Sequence, residues 1–163
     1  KRAEAYNNMG RYEHAIKDFT MIISLDPDNS YQYYRLRGDA YIELGDYDNA
    51  LDDIHQCFSL KPRAAFADHE LYLARGRVYA KTEKYELAIE DYNKSISLEP
   101  TATAYRNRGI VYLNMGKNKE KGCSDVREAC HMGMCKTLEE LLKKKICPCE
   151  KEDWLKGRSV CKM

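Results

Sequence analysis

The residues RGDAY at positions 37–41 return as RGRVY at 75–79 and as RGIVY at 108–112, with a weaker copy, RAEAY, at 2–6. The tyrosines that end these four copies are spaced 35, 38 and 33 residues apart. Small residues on a later segment follow the first two of these spacings and are Ala15, Ala50 and Ala88. Two independent markers in one register indicate a tandem repeat, and a period of this length is typical of solenoid proteins.

Each repeat predicts two helices. In the second repeat, apolar residues recur every three or four positions from Tyr34 to Leu44 and again from 47 to 60, which is the spacing of two amphipathic helices. Gly45 predicts the end of the first helix, and Asp46 predicts a cap for the second.

Glycine recurs inside each predicted first helix, at Gly38, Gly76 and Gly109. A glycine in a helix interior costs about 1 kcal/mol relative to alanine. We therefore expect the paired helix to approach too closely at these points for a side chain, with small residues such as Ala50 opposite. The 13 tyrosines of the chain then have a packing role around this contact.

Length and composition exclude several classes of protein. The chain has 163 residues, a formal net charge of +1 and 44% hydrophobic residues. The balanced charge argues against nucleic acid or an anionic membrane as the partner. No apolar run reaches the ~20 residues of a membrane span. A Ser/His/Asp arrangement, a phosphate-binding loop and a His-Glu-x-x-His motif are absent from the sequence, so we predict no enzyme activity and no cofactor.

The repeat resembles the tetratricopeptide repeat (TPR), a helix–turn–helix unit of ~34 residues. The resemblance implies an all-α fold, a right-handed superhelix or α-α solenoid. The predicted repeats are residues 1–29 (partial), 31–64, 69–101 and 102–133, and residues 134–163 are a capping helix and a Cys-rich tail. The first helix is cut at Lys1, so we expect the native protein to extend further in the N-terminal direction.

The C-terminal segment is similar to the ending of exported TPR proteins of the Bacteroidetes, which often close with a Cys-x-Asp helix and a terminal Cys. The matching residues are Cys123, Asp125, Gly133 and Cys147. The resemblance implies an exported, periplasmic or cell-surface protein, with a cytoplasmic location as the alternative. Leu138, Leu141, Leu142 and Ile146 predict an amphipathic helix over 136–146 that covers the last repeat.

The chain has seven cysteines, which can remain thiols, form disulfides or bind a metal. Cys57 is expected to be a buried thiol. Two antiparallel helices that turn near residue 134 place Cys123 within about one turn of Cys147, so we predict a disulfide between them. Cys130 and Cys135 flank the turn and pair with each other or with Cys149 and Cys161, and the sequence leaves this open. A zinc site on Cys130, Cys135, Cys147 and Cys149 is the competing hypothesis.

The resemblance also implies a concave groove lined by the first helices, in which a peptide or a partner protein binds. The predicted groove residues are Arg35, Asp39, Glu43, Leu73, Arg77, Lys81, Arg106, Ile110 and Asn114. Arginines are suited to holding carboxylates or backbone carbonyls. The recurring Arg2, Arg37, Arg75 and Arg108 precede the small residue of every repeat, so we expect them to pack and to hydrogen bond between repeats.

One ligand class is disfavoured. TPRs that bind the C-terminal carboxylate of heat-shock chaperones carry Lys and Asn at fixed groove positions, which here hold Glu4, Leu36, Glu70 and Ala74. The sequence therefore predicts a non-enzymatic scaffold that binds some other protein or peptide. The alternative is a metal-binding or redox-active Cys-rich C-terminal module carried on the repeats.

Overall fold

The computed structural model describes residues 1–60 and 68–148. Regular structure within these two ranges is entirely helical, which confirms the predicted all-α class. The α-helices are α1 (Arg2–Asn8), α2 (Tyr12–Leu25), α3 (Tyr31–Leu44), α4 (Tyr47–Leu60), α5 (His69–Lys81), α6 (Tyr85–Leu98), α7 (Ala102–Asn114), α8 (Lys119–His131) and α9 (Lys136–Lys143). A 3₁₀ turn at Pro27–Asn29 joins α2 to α3. No described helix combines the length and apolar character that crossing a bilayer requires.

The chain divides into two compact units, Lys1–Leu98 and Glu99–Met163. In the first unit, consecutive helices pack as the pairs α1–α2, α3–α4 and α5–α6, and α2 and α4 also contact the helix pair that follows. Its largest core cluster joins α3, α4 and α5 through residues that include Ile42, Ile54, Leu71 and Val78. In the second unit, α7 packs on α8 and α9 packs on α8.

The turn after α3 follows the predicted signals. Gly45 has a left-handed φ of 82°, a conformation that glycine adopts without steric cost. The N–H groups of Gly45 and Asp46 donate to the carbonyls of Ile42 and Tyr41, which is the double closure of a Schellman motif. The Asp46 carboxylate accepts from the backbone N–H of Asn49 at 3.4 Å and so caps the start of α4.

The glycines inside the first helices lie where the two helices of a repeat touch. A Cβ atom on Gly109 would lie 2.8 Å from the carbonyl oxygen of Gly122, and one on Gly76 would lie 2.7 Å from the ring of Tyr92. A Cβ on Gly38 would meet the Asp53 Cβ at 3.4 Å. The close approach predicted from the sequence is therefore present, and it is least able to relax at Gly109, where the opposing atom belongs to the backbone rather than to a side chain.

The recurring arginine of each first helix binds an aspartate on the second helix of the same repeat. The pairs are Arg2–Asp18, Arg37–Asp53, Arg75–Asp91 and Arg108–Asp125, and each has two N–H···O bonds of 2.7 to 2.9 Å. Two parallel bonds from one guanidinium fix distance and orientation together. These four pairs lie within a repeat, because the aspartate is on the second helix of the same pair, and the predicted bonding between repeats occurs at Arg37. Arg37 additionally donates to Thr20 of the preceding repeat at 2.9 Å.

Tyrosines surround these arginines. The guanidinium carbon of Arg75 lies 5.6 Å from the ring centre of Tyr72 and 5.9 Å from that of Tyr79. Arg37 has the same relation to Tyr34 and Tyr41, at 5.5 and 5.9 Å. The rings lie three residues before and four residues after the arginine, which are neighbouring positions on one helix face. Cation–π contact is therefore part of the packing role that the tyrosine excess predicted.

The C-terminal helix is shorter than predicted. It ends at Lys143 rather than at Ile146, because Lys145 takes a left-handed φ of 55°. The N–H groups of Lys145 and Ile146 donate to the carbonyls of Leu142 and Leu141, so a Schellman closure ends the helix without a glycine. Leu138 and Leu142 are buried, as expected of the apolar face.

We predict that Gly109→Ala lowers the free energy of unfolding by about 1–3 kcal/mol, the usual cost of overpacking, because a backbone carbonyl cannot move aside from the new Cβ. Gly38→Ala is the control, since its Cβ fits at 3.4 Å and alanine improves helix propensity by up to about 1 kcal/mol. Urea unfolding followed by circular dichroism measures both. Equal losses in the two variants would contradict the ranking of the contacts.

The contribution of each Arg–Asp pair to the free energy of unfolding should depend on how exposed its side chains are. Arg75 and Asp91 have side-chain exposures of 23% and 6%, so Asp91→Asn leaves a half-buried guanidinium without its anion. We expect a loss on the order of 2 kcal/mol, below the 3–5 kcal/mol of a fully buried pair. Asp18→Asn is the control and should cost much less, because its partner Arg2 is 73% exposed and solvent screens the pair. Thermal unfolding of both variants tests this order.

Candidate partner-binding site

Helices α3 and α5 are first helices of consecutive repeats, and a hydrogen bond joins their starts. Asp68 caps α5 by accepting from the backbone N–H groups of Glu70 and Leu71 at 3.0 and 3.2 Å. Its second carboxylate oxygen accepts from the Tyr31 hydroxyl of α3 at 2.8 Å. Burial and this bond to a carboxylate both raise the pKa of Tyr31, so the hydroxyl stays a donor. One aspartate thus sets the position of α5 relative to α3.

A cavity of about 160 Å³ opens between these two helices. Its lining consists of Arg35, Asp39, Glu70, Leu73, Ala74 and Arg77, and we name it the α3–α5 pocket. Four of the predicted groove residues, Arg35, Asp39, Leu73 and Arg77, therefore share one cavity.

Two ion pairs bridge the helices at the pocket. Arg35 of α3 donates to Glu70 of α5, and Arg77 of α5 donates to Glu43 of α3. The four side chains are 30% to 56% exposed, so solvent weakens each pair. Both arginines are nevertheless occupied by a carboxylate of this chain, and a partner's carboxylate would have to compete with it.

Asp39 lies between the two ion pairs. Its carboxylate is half-buried and forms no hydrogen bond with the described residues. Burial raises the pKa of Asp39, and the neighbouring charges of Arg77 and Arg35 oppose that rise. The carboxylate is therefore an acceptor whose hydrogen-bonding capacity the described chain does not use.

The remaining predicted groove residues lie apart from the pocket lining. Lys81 is exposed in the last turn of α5, where a cation favours the helix dipole. Arg106, Ile110 and Asn114 lie on α7, in the second compact unit. Arg106 donates to the side-chain oxygen of Asn107 at 3.2 Å, Ile110 is half-buried and Asn114 is exposed.

Sequence reasoning missed two sets of contacts. The aspartates that bind the recurring arginines follow them by 16, 16, 16 and 17 residues, a regular spacing that a search for pairs would have found. The bridges Arg35–Glu70 and Arg77–Glu43 join residues 35 and 34 positions apart. That separation is one repeat length, so opposite charges at a one-repeat offset were the available signal.

The cysteines of the second unit form two pairs. The sulfur atoms of Cys123 and Cys147 are at bonding distance, with the Cα atoms 5.6 Å apart, and the same holds for Cys130 and Cys135 with Cα atoms 4.0 Å apart. Cys149 and Cys161 lie outside the described residues. Cys57 is a free, buried thiol, and burial raises its pKa to about 12.

The zinc hypothesis finds little support in this arrangement. Three of its four ligands, Cys130, Cys135 and Cys147, belong to the disulfide pairs, and a disulfide sulfur is not the thiolate that zinc requires. Within residues 1–60 and 68–148, no cluster of three or more Cys, His, Asp or Glu side chains has the geometry to hold a metal.

Comparison with known proteins identifies the repeat. A family model described as "Tetratricopeptide repeat" matches residues 1–29 and 31–63, and one described as "TPR repeat" matches residues 76–116. The chain is a tetratricopeptide repeat protein. Proteins of this family bind other proteins, so membership makes this TPR protein an interaction scaffold in the broad sense. Among curated proteins, none matches it significantly.

Several solved structures share the fold of this TPR protein. MamA 41-end from Desulfovibrio magneticus RS-1 has a TM-score of 0.70 and 21% identity, covering 82% of this chain and 73% of that chain. TTC0263, a thermophilic TPR protein in Thermus thermophilus, has a TM-score of 0.69 and 20% identity, covering 83% and 72%. The first TPR of Spaghetti (RPAP3), bound to HSP90 peptide SRMEEVD, has a TM-score of 0.63 and 24% identity, covering 71% and 89%. At these identities the likeness establishes the fold.

The two disulfide pairs should stabilise the second unit unequally. Serine replacement of Cys123 and Cys147 opens a link with a sequence separation of 24, and replacement of Cys130 and Cys135 opens one with a separation of 5. The chain-entropy model gives losses of roughly 3 and roughly 2 kcal/mol. Urea unfolding of protein purified under oxidising conditions measures both, and the differences should shrink in reducing agent. Peptide mapping that found Cys123 and Cys147 alkylated in unreduced protein would refute the first bond.

Proposed function

We propose that this TPR protein is a non-enzymatic scaffold that holds a segment of a partner protein against the face formed by the first helices α3 and α5. The α3–α5 pocket carries the proposal, because it is a concavity between two first helices that combines charged groups with an apolar floor at Leu73 and Ala74. Its volume of about 160 Å³ is below the roughly 300–1,000 Å³ of pockets that enclose small molecules. A pocket of this size suits a single side chain of a larger partner.

A structural neighbour supports the same mode of binding. The first TPR of Spaghetti (RPAP3) was solved with the HSP90 peptide SRMEEVD bound, so a TPR fold of this kind holds a short peptide. The heat-shock chaperone tails themselves are disfavoured as partners of this chain. Glu4 and Glu70 occupy two of the clamp positions, and carboxylates there repel a C-terminal carboxylate. The net charge of +1 likewise argues against nucleic acid as the partner.

We also propose an exported location, in the periplasm or at the cell surface. Two disulfide pairs in one short unit support it, since disulfides persist in oxidising compartments and are rare in the cytosol.

The test is capture of partners from the source organism with a first-helix variant. Arg35→Glu and Arg77→Glu together reverse two charges on the first helices α3 and α5. We expect the partners captured by the wild-type protein to be lost, because the variant breaks both bridges of the pocket and reverses the charge of this face. Affinity capture followed by quantitative mass spectrometry measures the loss.

A matched control distinguishes the effect of where the charges are reversed from the effect of the charge change itself. Lys17→Glu and Lys94→Glu make the same charge change at exposed positions on the second helices α2 and α6. This control should retain the partners, and circular dichroism should show both variants folded. Partners kept by the first-helix variant and lost by the control would move the binding site to the second helices and contradict the proposal.

A further inference from the structure

The charges around the α3–α5 pocket do not cancel. Two arginines, Arg35 and Arg77, are matched by Glu70 and Glu43 in the two bridges. Asp39 is a third carboxylate between them, so these five side chains carry a net charge of −1 when Glu43, which lies outside the pocket lining, is counted. The unmatched negative charge belongs to the half-buried residue, not to the exposed glutamates.

The Asp39 carboxylate is half-buried, forms no hydrogen bond with the described residues and keeps access to water. Partial burial disfavours its charged form, which raises its pKa. A ligand that brings a positive charge and N–H donors to this carboxylate stabilises the charged form.

We infer that the α3–α5 pocket receives the cationic end of one basic side chain, lysine or arginine, from the partner segment, with Asp39 as its counter-charge. This inference rests on the proposed function, because it names the chemistry of the partner at the same face. Leu73 and Ala74 in the lining contact the methylene stem of such a side chain, as apolar surface commonly does for lysine and arginine.

An acidic side chain fits the pocket less well. Its carboxylate would meet Asp39 directly, and like charges in one site repel. It would also have to displace Glu70 or Glu43 from an arginine that each already neutralises. Once Glu43 beside the lining is counted, Asp39 is the one carboxylate not matched by an arginine, and this favours a cation, although the groove arginines Arg35 and Arg77 taken alone suggest an anionic ligand.

The experiment titrates the full isotope-labelled chain with N-acetyl-lysine methylamide and follows backbone amide shifts by NMR. We expect saturable shifts in α3 and α5 around residues 35–43 and 70–77. N-acetyl-norleucine methylamide, which has no charge, and N-acetyl-glutamate methylamide, which has the opposite charge, should cause no saturable shift there. Saturation by either of these two probes at the same residues would overturn the inference.

The variant Asp39→Asn keeps the size of the side chain and removes its charge. Binding of the lysine probe should weaken by about tenfold, the scale of a lost hydrogen bond to a charged group. Asp52→Asn is the matched control, because it removes the same charge from an exposed position on α4 and should leave the affinity unchanged. Unaltered affinity in Asp39→Asn would refute the role of Asp39.

The pH dependence of the wild-type protein gives a second measurement that needs no variant. The cation binds the ionised form of Asp39, so affinity should fall as the pH is lowered through the pKa of this carboxyl. Burial places that pKa above the ordinary aspartate value, against the opposing charges of Arg77 and Arg35 and together with those of Glu70 and Glu43. The loss should therefore begin at a higher pH than an exposed aspartate would give, and a flat profile would overturn the inference.

This inference and the proposed function fail in distinguishable ways. A lysine probe that binds at Asp39, while the first-helix variant still captures every partner, supports the pocket chemistry and refutes the proposed scaffold face. Loss of partners in the first-helix variant without any shift from the lysine probe supports the face and refutes the basic side chain.

Discussion

The bond between an arginine of the first helix and an aspartate of the second helix sets the geometry of every repeat in this chain. It occurs where a glycine or alanine lets the two helices touch, and its two parallel hydrogen bonds fix how far the helices slide and rotate. Burial raises the pKa of Asp53 although Arg37 lowers it, which means that desolvation offsets the attraction. Such a pair therefore determines the relative position of the two helices more than it adds to the free energy of unfolding, because a buried ion pair is weak evidence for stability.

The remaining packing of the first helices follows from that bond. Once the guanidinium of Arg75 is bound to Asp91, it lies over the rings of Tyr72 and Tyr79 on the same helix and over Phe58 on α4, whose ring centre is 4.7 Å away. Tyr72 in turn meets Phe58 edge-on at 5.4 Å. A polar bond therefore orders an aromatic layer, and consecutive repeats share that layer.

Much of this fold was predictable because the residues that form each contact recur in every repeat of the sequence. The glycine, alanine and tyrosine markers indicated paired helices, and Gly45 and Asp46 indicated where one helix ends and the next begins. The Arg–Asp bonds were missed because the position of each arginine was compared only with the other residues of its own helix. The aspartate that binds it lies on the other helix of the repeat. The end of α9 was missed because Lys145 adopts a conformation for which glycine is the usual signal. At the α3–α5 pocket, the sequence placed Arg35, Asp39, Leu73 and Arg77 in one predicted groove, and these four residues line one cavity. It did not show that glutamates one repeat away occupy the arginines, because that depends on which side chains face each other between α3 and α5.

The bond between Cys123 and Cys147 also determines how mechanical force enters the second unit. Cys147 follows α9, and Cys123 lies in the first half of α8. A pull on the chain beyond Cys147 is carried by the sulfur bridge directly into α8, so α9 and the turn at Gly133 lie on a side branch that bears no tension. The hydrophobic contacts of Leu138 and Leu142 are thereby shielded from any load applied at the C-terminal end. Reduction of the bridge would put α9 in series with the load.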